Sequence, residues 1–297
     1  MLDSRPSVTA ERVAMRRAAH QILDVPPVFR DPLALRIAGV TDAGVPSEEG
    51  ETARVNRHRR AFIAARSRYV EDQLGELVGG GVDQYVVLGA GLDTFAYRNP
   101  FPRLRVFEVD HPATQAWKRE RLASSGIPVP TSMAFAPIDF ERETLADALA
   151  RVGFDGSRPA FFGWLGVVAY LKLDAIDDTL RFVASCAPPT TIVFDYSIPP
   201  DRLPPRQRQR FDVIAGRAAA AGEPWLTFFE PLELDVRLRE IGFGAIDHVD
   251  ADALNRLYFS DRTDGLRIEG VGRFARITAA RRLPPPLKLR WTTVALA

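Results

Sequence analysis

The sequence lacks a second cysteine, a long apolar run and an excess of charge of either sign. Because Cys186 is the one cysteine among 297 residues, no disulfide can form within the chain, which fits a reducing compartment. No apolar run approaches the roughly 20 residues that cross a bilayer, and the charged residues 1–20 lack the apolar segment of a signal peptide. We therefore expect a cytoplasmic protein with no membrane partner.

The charges are nearly balanced, with 39 Lys and Arg against 38 Asp and Glu and a net charge of +1. Proteins that bind nucleic acid usually carry a clear basic excess, so no nucleic-acid partner is expected. A hydrophobic fraction of 46% and a charged fraction of 26% are ordinary for a globular enzyme. We expect a small-molecule substrate and a chain that is a monomer or a homodimer.

Short apolar runs alternate with helical patterns in the middle of the chain. Buried strands are predicted at 84–88, 105–109, 134–138, 160–165 and 190–196, and two late strands at 245–249 and 272–278. Helices are predicted at 9–23, 33–38, 52–78, 113–124, 143–152, 173–187, 204–221 and 231–241. The alternation predicts a doubly wound α/β fold, with a mostly parallel seven-stranded sheet covered by helices on both faces.

The strongest local motif is VVLGAGLDT, in which a buried strand runs into a Gly-Ala-Gly turn at 89–91. Glycine's backbone freedom lets a ligand approach such a turn closely, although a plain β-turn has the same pattern. The second strand ends in Glu-Val-Asp at 108–110. An acid there can accept hydrogen bonds from two ribose hydroxyls, so the two signals together predict a cofactor that contains a nucleoside.

Two residues after the turn distinguish between nucleoside cofactors. A dinucleotide fold favours a small residue where Thr94 stands, and Asp93 would repel a pyrophosphate. S-adenosylmethionine carries an ammonium and a sulfonium but no phosphate, so the acidic loop favours it over NAD(P). An NAD(P)-dependent oxidoreductase is the alternative enzyme class, and a protein that binds S-adenosylmethionine without turnover is the alternative outside enzymes.

The third strand is followed by Asp139 and Phe140. In such folds an acid with an apolar neighbour contacts adenine, because the carboxylate accepts from the exocyclic amine while the neighbour flanks the ring. Asp139 could equally be the N-cap of the following helix. The local sequence leaves both interpretations open.

Several stretches together resemble the leucine carboxyl methyltransferase family and, within it, a large actinobacterial group of S-adenosylmethionine-dependent methyltransferases. The resemblance runs from about residue 9 to about residue 278. The stretches that carry it are TAERVAMRRAAH, FRDPLALRIAG, FIAARSRYVED, VVLGAGLDTFAYR, VFEVDHPATQAWKRERL, FAPIDF, GWLGVVAYL and PLELDVRLREIGF. It implies a class I methyltransferase, with a Rossmann-like sheet, an N-terminal helical lid and a late antiparallel strand pair.

On this resemblance, residues 1–297 form a single methyltransferase domain. Its parts are a helical lid (1–80), a cofactor-binding core (82–200), acceptor-side helices and final strands (201–282) and a proline-rich tail (283–297). The family's chemistry points to an oxygen of a small molecule, in a carboxylate or a hydroxyl, as the methyl acceptor, and to S-adenosylhomocysteine as the product.

The resemblance also implies roles for individual residues. Arg66 matches the arginine that binds the cofactor's carboxylate, Asp110 matches the ribose-binding acid, and Arg17 matches a basic residue of the lid. Tyr170 keeps its place in the family pattern and could face the transferred methyl group as a catalytic residue, or be a core aromatic. The predicted cofactor-binding residues are Arg17, Arg66, Gly89, Ala90, Gly91, Asp93, Asp110, Asp139, Phe140 and Leu165.

One residue departs from the family pattern. Many family members have an acid after the fourth strand, in the pattern A-E-x-x-x-x-Y, whereas this chain has Leu165 in the segment WLGVVAY. That acid would contact the amino end of the cofactor's methionine part. We therefore expect Asp93 or backbone carbonyls to take the ammonium, and the departure weakens a protein C-terminus as the acceptor.

The chemistry depends on the acceptor. Methyl transfer from a sulfonium is an in-line displacement, and a carboxylate needs no general base, so catalysis would consist of positioning and exclusion of water. A hydroxyl acceptor would gain from a base, for which His248 and Tyr258 are the late candidates. The sequence contains no visible cluster of metal ligands, so no metal is expected.

Overall fold

Seven strands form one sheet in the computed structural model of the chain, which describes residues 7–45, 50–139, 142–220 and 222–280. The strands are β1 (Gln84–Leu88), β2 (Arg105–Asp110), β3 (Met133–Pro137), β4 (Phe161–Trp164), β5 (Thr191–Ser197), β6 (Phe243–Val249) and β7 (Gly272–Ala279). The α-helices are α1 (Val8–Leu23), α2 (Ala34–Ala38), α3 (Gly50–Gly79), α4 (Pro112–Ser124), α5 (Leu145–Arg151), α6 (Leu173–Ser185), α7 (Pro205–Ala220), α8 (Pro231–Ile241) and α9 (Ala251–Tyr258).

The strand order is β3-β2-β1-β4-β5-β7-β6. The first five strands pair in parallel, and β7 runs antiparallel to both β5 and β6. The predicted α/β fold, with its mostly parallel sheet and late antiparallel pair, is confirmed. Because the chain crosses from β3 back to β4 beside β1, the carboxyl ends of β1 and β4 are neighbours. Open α/β sheets bind ligands in the crevice at such a switch point.

Helices cover both faces of the sheet, so successive strand residues alternate between two apolar clusters. One cluster joins Val86, Phe107 and Phe162 to α5, α6 and α8. The other joins Tyr85 and other strand residues to α3 and α9. Burial on both faces explains why the parallel strands appear in the sequence as short, nearly unbroken apolar runs.

Helix α9 is absent from the sequence predictions. Asp250 precedes it as N-cap, and its side chain accepts a hydrogen bond from the N–H of Ala253 at 2.8 Å. Eight residues are too short a window for helical periodicity to stand out, so the capping aspartate was the usable signal. In the described part of the chain, no helix is both long and apolar enough to cross a membrane.

Candidate functional site

The turn after β1 lies at the carboxyl edge of the sheet. Gly89 and Gly91 have φ angles of +66° and +47°, in the left-handed region that glycine adopts without strain. A Cβ on Gly89 would lie 2.3 Å from Cγ2 of Val167, so the loop after β4 can approach only because this position is glycine. The N–H groups of Gly89 and Ala90 donate to the carbonyl of Val109 at 2.8 and 3.0 Å. The turn is therefore fixed against both neighbouring strands.

Asp110 ends β2 beside this turn. Its Oδ2 accepts from the N–H of Gly91 at 2.6 Å, and its Oδ1 accepts from the N–H of His111 at 2.7 Å. Burial raises the pKa of the Asp110 carboxyl, although the two N–H groups act against that rise. A carboxylate has about four lone-pair sites, so Asp110 can still accept from a ligand's hydroxyl groups.

Glu108, the other acid of the strand end, belongs to the core. It is 1% exposed, lies 2.7 Å from Nζ of Lys118 and accepts from the hydroxyl of Tyr97 at 3.0 Å. Burial raises the pKa of Glu108 to about 6, against the opposing effect of Lys118. This leaves Asp110 as the strand-end acid that faces the glycine turn.

Arg17 contacts the same turn from α1. Its Nη1 lies 3.3 Å from Oδ2 of Asp93, and its Nη2 lies 3.1 Å from Oδ2 of Asp31 and 3.0 Å from the carbonyl of Leu92. The side chains of Arg17 and Asp31 are 5% and 0% exposed. Arg17 therefore holds the lid helix to the turn, and its contact with the cofactor remains a prediction.

Asp93 is bound within the protein as well. Besides Arg17, its carboxylate accepts from the N–H of Phe95 at 2.8 Å. Burial opposes ionisation of Asp93, but the charges of Arg17, Lys118 and Arg98 outweigh it, so its pKa lies below the usual value. A role for Asp93 in binding the cofactor's ammonium would have to share these contacts.

Arg66 reaches from α3 to the edge between β4 and β5. Its Nη1 lies 3.2 Å from Oδ2 of Asp195, and the two side chains are 10% and 13% exposed. Oδ1 of Asp195 accepts from the N–H of Gly166 at 2.5 Å. Leu165 is half-buried and packs with the apolar cluster on the α3 face. The sequence predictions missed Asp195, although an acid inside the apolar run TTIVFDY was a signal for it.

Asp139 lies at the end of the neighbouring strand, because the N–H of Ile138 donates to the carbonyl of Asp110 at 2.9 Å. It is not the N-cap of the following helix. That position belongs to Thr144, whose side chain caps α5. The adenine-binding role of Asp139 stays a prediction, and Phe140 lies outside the described residues.

Tyr170 ends a 3-10 turn, Val168–Tyr170, and is half-buried. The segment before α8 covers this turn. The N–H of Leu226 donates to the carbonyl of Ala169 at 2.6 Å, and the hydroxyl of Thr227 donates to the carbonyl of Leu171 at 2.6 Å. Tyr170 therefore lies between the carboxyl end of β4 and the segment before α8, and its catalytic role stays a prediction.

The segment 222–230, called the acceptor-side segment after its predicted place, is aromatic and contacts the start of α1. Phe211 of α7 packs on Trp225 and Phe228, with ring centroids 5.3 and 5.6 Å apart. Nε1 of Trp225 is buried and has no hydrogen-bond partner in the part of the chain that is described. Glu223 accepts from the hydroxyl of Ser7 at 2.8 Å, immediately before α1. The start of α1 and the segment 222–230 are thus in direct contact.

The site fits S-adenosylmethionine better than a dinucleotide. After the glycine turn the chain forms a 3-10 turn, Phe95–Tyr97, and the described residues between β1 and β2 contain no α-helix. A dinucleotide fold places its pyrophosphate on the N-terminus of a helix at this point, and that anion site is missing here. The neighbouring charges of Arg66 and Asp195 match instead the carboxylate and ammonium of an amino acid.

Comparison with known proteins agrees with this geometry. The model of the family described as Leucine carboxyl methyltransferase matches residues 10–184. The chain belongs to the leucine carboxyl methyltransferase family. Membership confirms the predicted enzyme class, a methyltransferase, and the predicted cofactor, S-adenosylmethionine.

Two relatives illustrate the similarity. A Bacillus subtilis protein with the provisional name S-adenosyl-L-methionine-dependent methyltransferase YktD is 37% identical over 205 residues, which are 68% of this chain and 67% of that protein. A Mycolicibacterium paratuberculosis protein with the same provisional name, without the gene symbol, is 33% identical over 179 residues, 59% of this chain and 55% of that protein. The matches therefore span about half to two thirds of these relatives.

Two solved structures share the fold. A DUF574 family protein from Streptomyces avermitilis has a TM-score of 0.56 at 15% identity, covering 94% of this chain and 100% of that one. A protein from Thermobifida fusca, provisionally named a methyltransferase, has a TM-score of 0.52 at 19% identity, covering 93% and 95%. At these identities the likeness concerns the fold alone.

Proposed function

We propose that this methyltransferase acts on an oxygen atom of a small-molecule acceptor, and that the acceptor is a carboxylate rather than a hydroxyl. One observation carries the preference. Each of the four histidines of the chain is committed to hydrogen bonds within the protein. A hydroxyl acceptor gains from a general base, whereas a carboxylate is already a nucleophile.

In two histidines, a ring nitrogen already accepts a hydrogen bond from the backbone. Nδ1 of His111 accepts from the N–H of Ala113 at 3.2 Å, so the neutral ring carries its proton on Nε2. His20 is 1% exposed, contacts Asp24 through Nδ1 at 2.9 Å and accepts from the N–H of Val28 through Nε2 at 3.0 Å. Neither ring can take a proton from an acceptor without breaking these contacts.

The two candidates for a general base near the end of the chain are also hydrogen-bonded within the protein. Nδ1 of His248 lies 2.8 Å from the hydroxyl of Tyr196, and its Nε2 lies 2.7 Å from Oδ1 of Asp235. The hydroxyl of Tyr258 donates to Asp72 at 2.9 Å, and burial raises the pKa of that phenol. Both groups therefore already have hydrogen-bond partners within the protein, which favours chemistry without a base.

His58, on α3, is the fourth histidine. Its Nδ1 lies 2.9 Å from the carbonyl of Arg267, and its Nε2 lies 3.3 Å from Oε2 of Glu269. The ring therefore joins α3 to the segment before β7. This contact is another structural use of an imidazole, so it adds no base to the crevice.

The proposed roles follow from position. Asp110 would bind the ribose, Asp139 the adenine and Arg66 the carboxylate, while the backbone of residues 89–91 passes close to the methionine part. S-adenosylmethionine supplies, when bound, an electrophilic methyl group that an acceptor oxygen takes while the electron pair of the broken C–S bond stays on sulfur. Tyr170 and the aromatic acceptor-side segment would orient the acceptor and exclude water, which suffices for an anionic nucleophile.

The test is an acceptor screen with matched pairs of small carboxylic acids and the corresponding primary alcohols, followed by mass spectrometry. We expect methyl esters from the acids, at a rate that changes little between about pH 6 and 9, since carboxylates are ionised throughout that range. Alcohols as the better acceptors, with a rate that rises about tenfold per pH unit, would contradict the carboxylate preference. Asp110→Ala is the control that should lose turnover with every acceptor.

A further inference from the structure

Leu165 leaves the amino end of the cofactor without the acid that the family pattern places after the fourth strand. Its side chain packs with the apolar cluster on the α3 face. An ammonium group enclosed beside a leucine would have no partner for its charge, which is strongly unfavourable. A carboxylate is therefore needed from another part of the chain.

Asp195 lies on the strand next to Leu165. β4 and β5 pair in parallel with Trp164 opposite Phe194, so the residues that follow each of these two are neighbours. Oδ1 of Asp195 accepts from the N–H of Gly166 at 2.5 Å. At 13% exposure, the Asp195 side chain is shielded from bulk water but still reachable.

The loop after β4 joins Asp195 and Arg66 to the glycine turn. Gly166 has a φ of +69°, and a Cβ there would lie 2.7 Å from Nη1 of Arg66. A side chain at this position would therefore displace the guanidinium from its present place beside Asp195. Val167 follows directly and lies against Gly89, where a Cβ would lie 2.3 Å from its Cγ2. The ion pair is thus one short loop away from the backbone that a ligand can approach.

We infer that Asp195 binds the α-ammonium group of S-adenosylmethionine, while Arg66 binds its α-carboxylate. This inference rests on the cofactor site proposed above. An amino acid zwitterion carries its two charges close together, and a cation beside an anion complements both. Of about four lone-pair sites on the Asp195 carboxylate, Gly166 and Arg66 use two, so two remain for ammonium N–H groups. Arg66 has five N–H donors in a geometry that suits a carboxylate.

The position of Asp195 also explains how this chain departs from the family pattern. The predicted acid is one residue after β4, and Asp195 occupies the adjoining place on β5. An acid on β5 instead of after β4 lies one strand further along the sheet, but at the same carboxyl edge. Leu165 can then be apolar without loss of the charge that the ammonium requires.

Isothermal titration calorimetry with two ligands tests the inference. S-adenosylhomocysteine has the amino acid end, whereas 5′-methylthioadenosine shares the nucleoside and lacks that end. Asp195→Asn keeps the size of the side chain and its acceptor for Gly166 but removes the charge. We expect the variant to bind S-adenosylhomocysteine about 10- to 100-fold more weakly, because one or two charge-assisted hydrogen bonds are lost. Its affinity for 5′-methylthioadenosine should stay within about twofold of the wild-type value.

Two further variants sharpen the test. Asp177 is 11% exposed and lies 2.6 Å from Nη1 of Arg237, in an ion pair between α6 and α8. Asp177→Asn therefore removes a comparable charge outside the site, and we expect both affinities to be unchanged. Adding Leu165→Glu to Asp195→Asn returns an acid to the family position, and we expect it to restore part of the affinity for S-adenosylhomocysteine alone.

Three results would overturn the inference. The first is an unchanged affinity for S-adenosylhomocysteine in Asp195→Asn, and the second is an equal loss for both ligands, which would make Asp195 a structural residue. The third is a wild-type protein that binds neither ligand, which would overturn the cofactor site as well. Failure of the proposed oxygen transfer is distinguishable, because the wild type would then bind S-adenosylhomocysteine and convert no acid to an ester.

Discussion

Arg17 and Arg66 are both predicted to contact the cofactor, yet their surroundings differ. Both Nη atoms of Arg17 are engaged by Asp31, Asp93 and the carbonyl of Leu92, and Asp31 is fully buried. In the described part of the chain, the one ion-pair partner of Arg66 is Asp195, and that pair borders the crevice. An arginine whose two Nη atoms are held by buried partners stabilises the fold, whereas one with a single ion-pair partner at the sheet edge can bind a ligand.

The largest expected effect concerns stability and separates the two arginines. Arg17→Ala would remove the cation that the buried Asp31 shares with Asp93, and Asp31 would keep the longer ion pair with Arg98, whose Nε lies 3.5 Å from its Oδ1. Removing one partner of a buried ion pair costs about 3–5 kcal/mol, and because Arg98 still offsets part of the charge of Asp31, we expect a loss of about 3 kcal/mol in urea unfolding. Arg66→Ala should lose less, because its pair is partly open to solvent.

Arg208→Ala is the control for that measurement. Its ion pair with Asp212 on α7 is exposed, with side chains 44% and 54% accessible, so a change below about 1 kcal/mol is expected. If Arg17→Ala were no less stable than Arg208→Ala, the structural role of Arg17 would be wrong. The comparison between the two arginines would then lose its basis.

The second effect concerns affinity for the cofactor, for which Arg66 is expected to matter more than Arg17. Arg66→Ala should weaken S-adenosylhomocysteine binding by about 100-fold, because a bidentate contact with the carboxylate is worth about 3 kcal/mol. Arg66→Lys keeps the charge but loses the forked geometry, and should retain part of the affinity. Calorimetry measures both variants. Wild-type affinity in Arg66→Ala would remove this residue from the proposed site.

The smallest effect is a pH dependence of binding that depends on Asp110. Its carboxylate should accept from the ribose hydroxyls, and burial raises its pKa above the ordinary value of 3.8. Binding is therefore complete above that raised pKa and is lost as the pH falls through it, by at most about tenfold in Kd per pH unit. Asp110→Asn should bind weakly at every pH. A wild-type Kd that stays constant in this acidic range, with the protein still folded, would contradict the role.

Residues whose place at the edge of the sheet follows from the local sequence could be predicted, although their roles stay predictions. The glycine turn and Asp110 belong to this group, because each stands directly after a buried apolar strand and parallel strands end at one edge. Thr144 and Asp250 show the limit of such reasoning. Each is a capping residue that the sequence offers as a signal, but the polar residues before each helix leave its exact starting point open until the fold is known.

The contact of Asp195 with Arg66 could not be predicted without the folded structure. Asp195 lies 129 residues from Arg66, and within its own strand it looks like one polar residue in an apolar run. Its contact depends on the register of β4 and β5, on the reach of α3 and on the absence of a side chain at Gly166. None of these has a local sequence pattern.

The sequence by itself determined the class of fold, the family and the cofactor, because apolar periodicity and strand-end residues act over short distances along the chain. The tertiary structure alone decided which charges are available to a ligand. Arg17 and Asp93 neutralise each other behind the turn, while Arg66 and Asp195 meet beside the crevice. Whether a charge is satisfied depends on neighbours brought close in space by packing, and those neighbours are far apart along the chain.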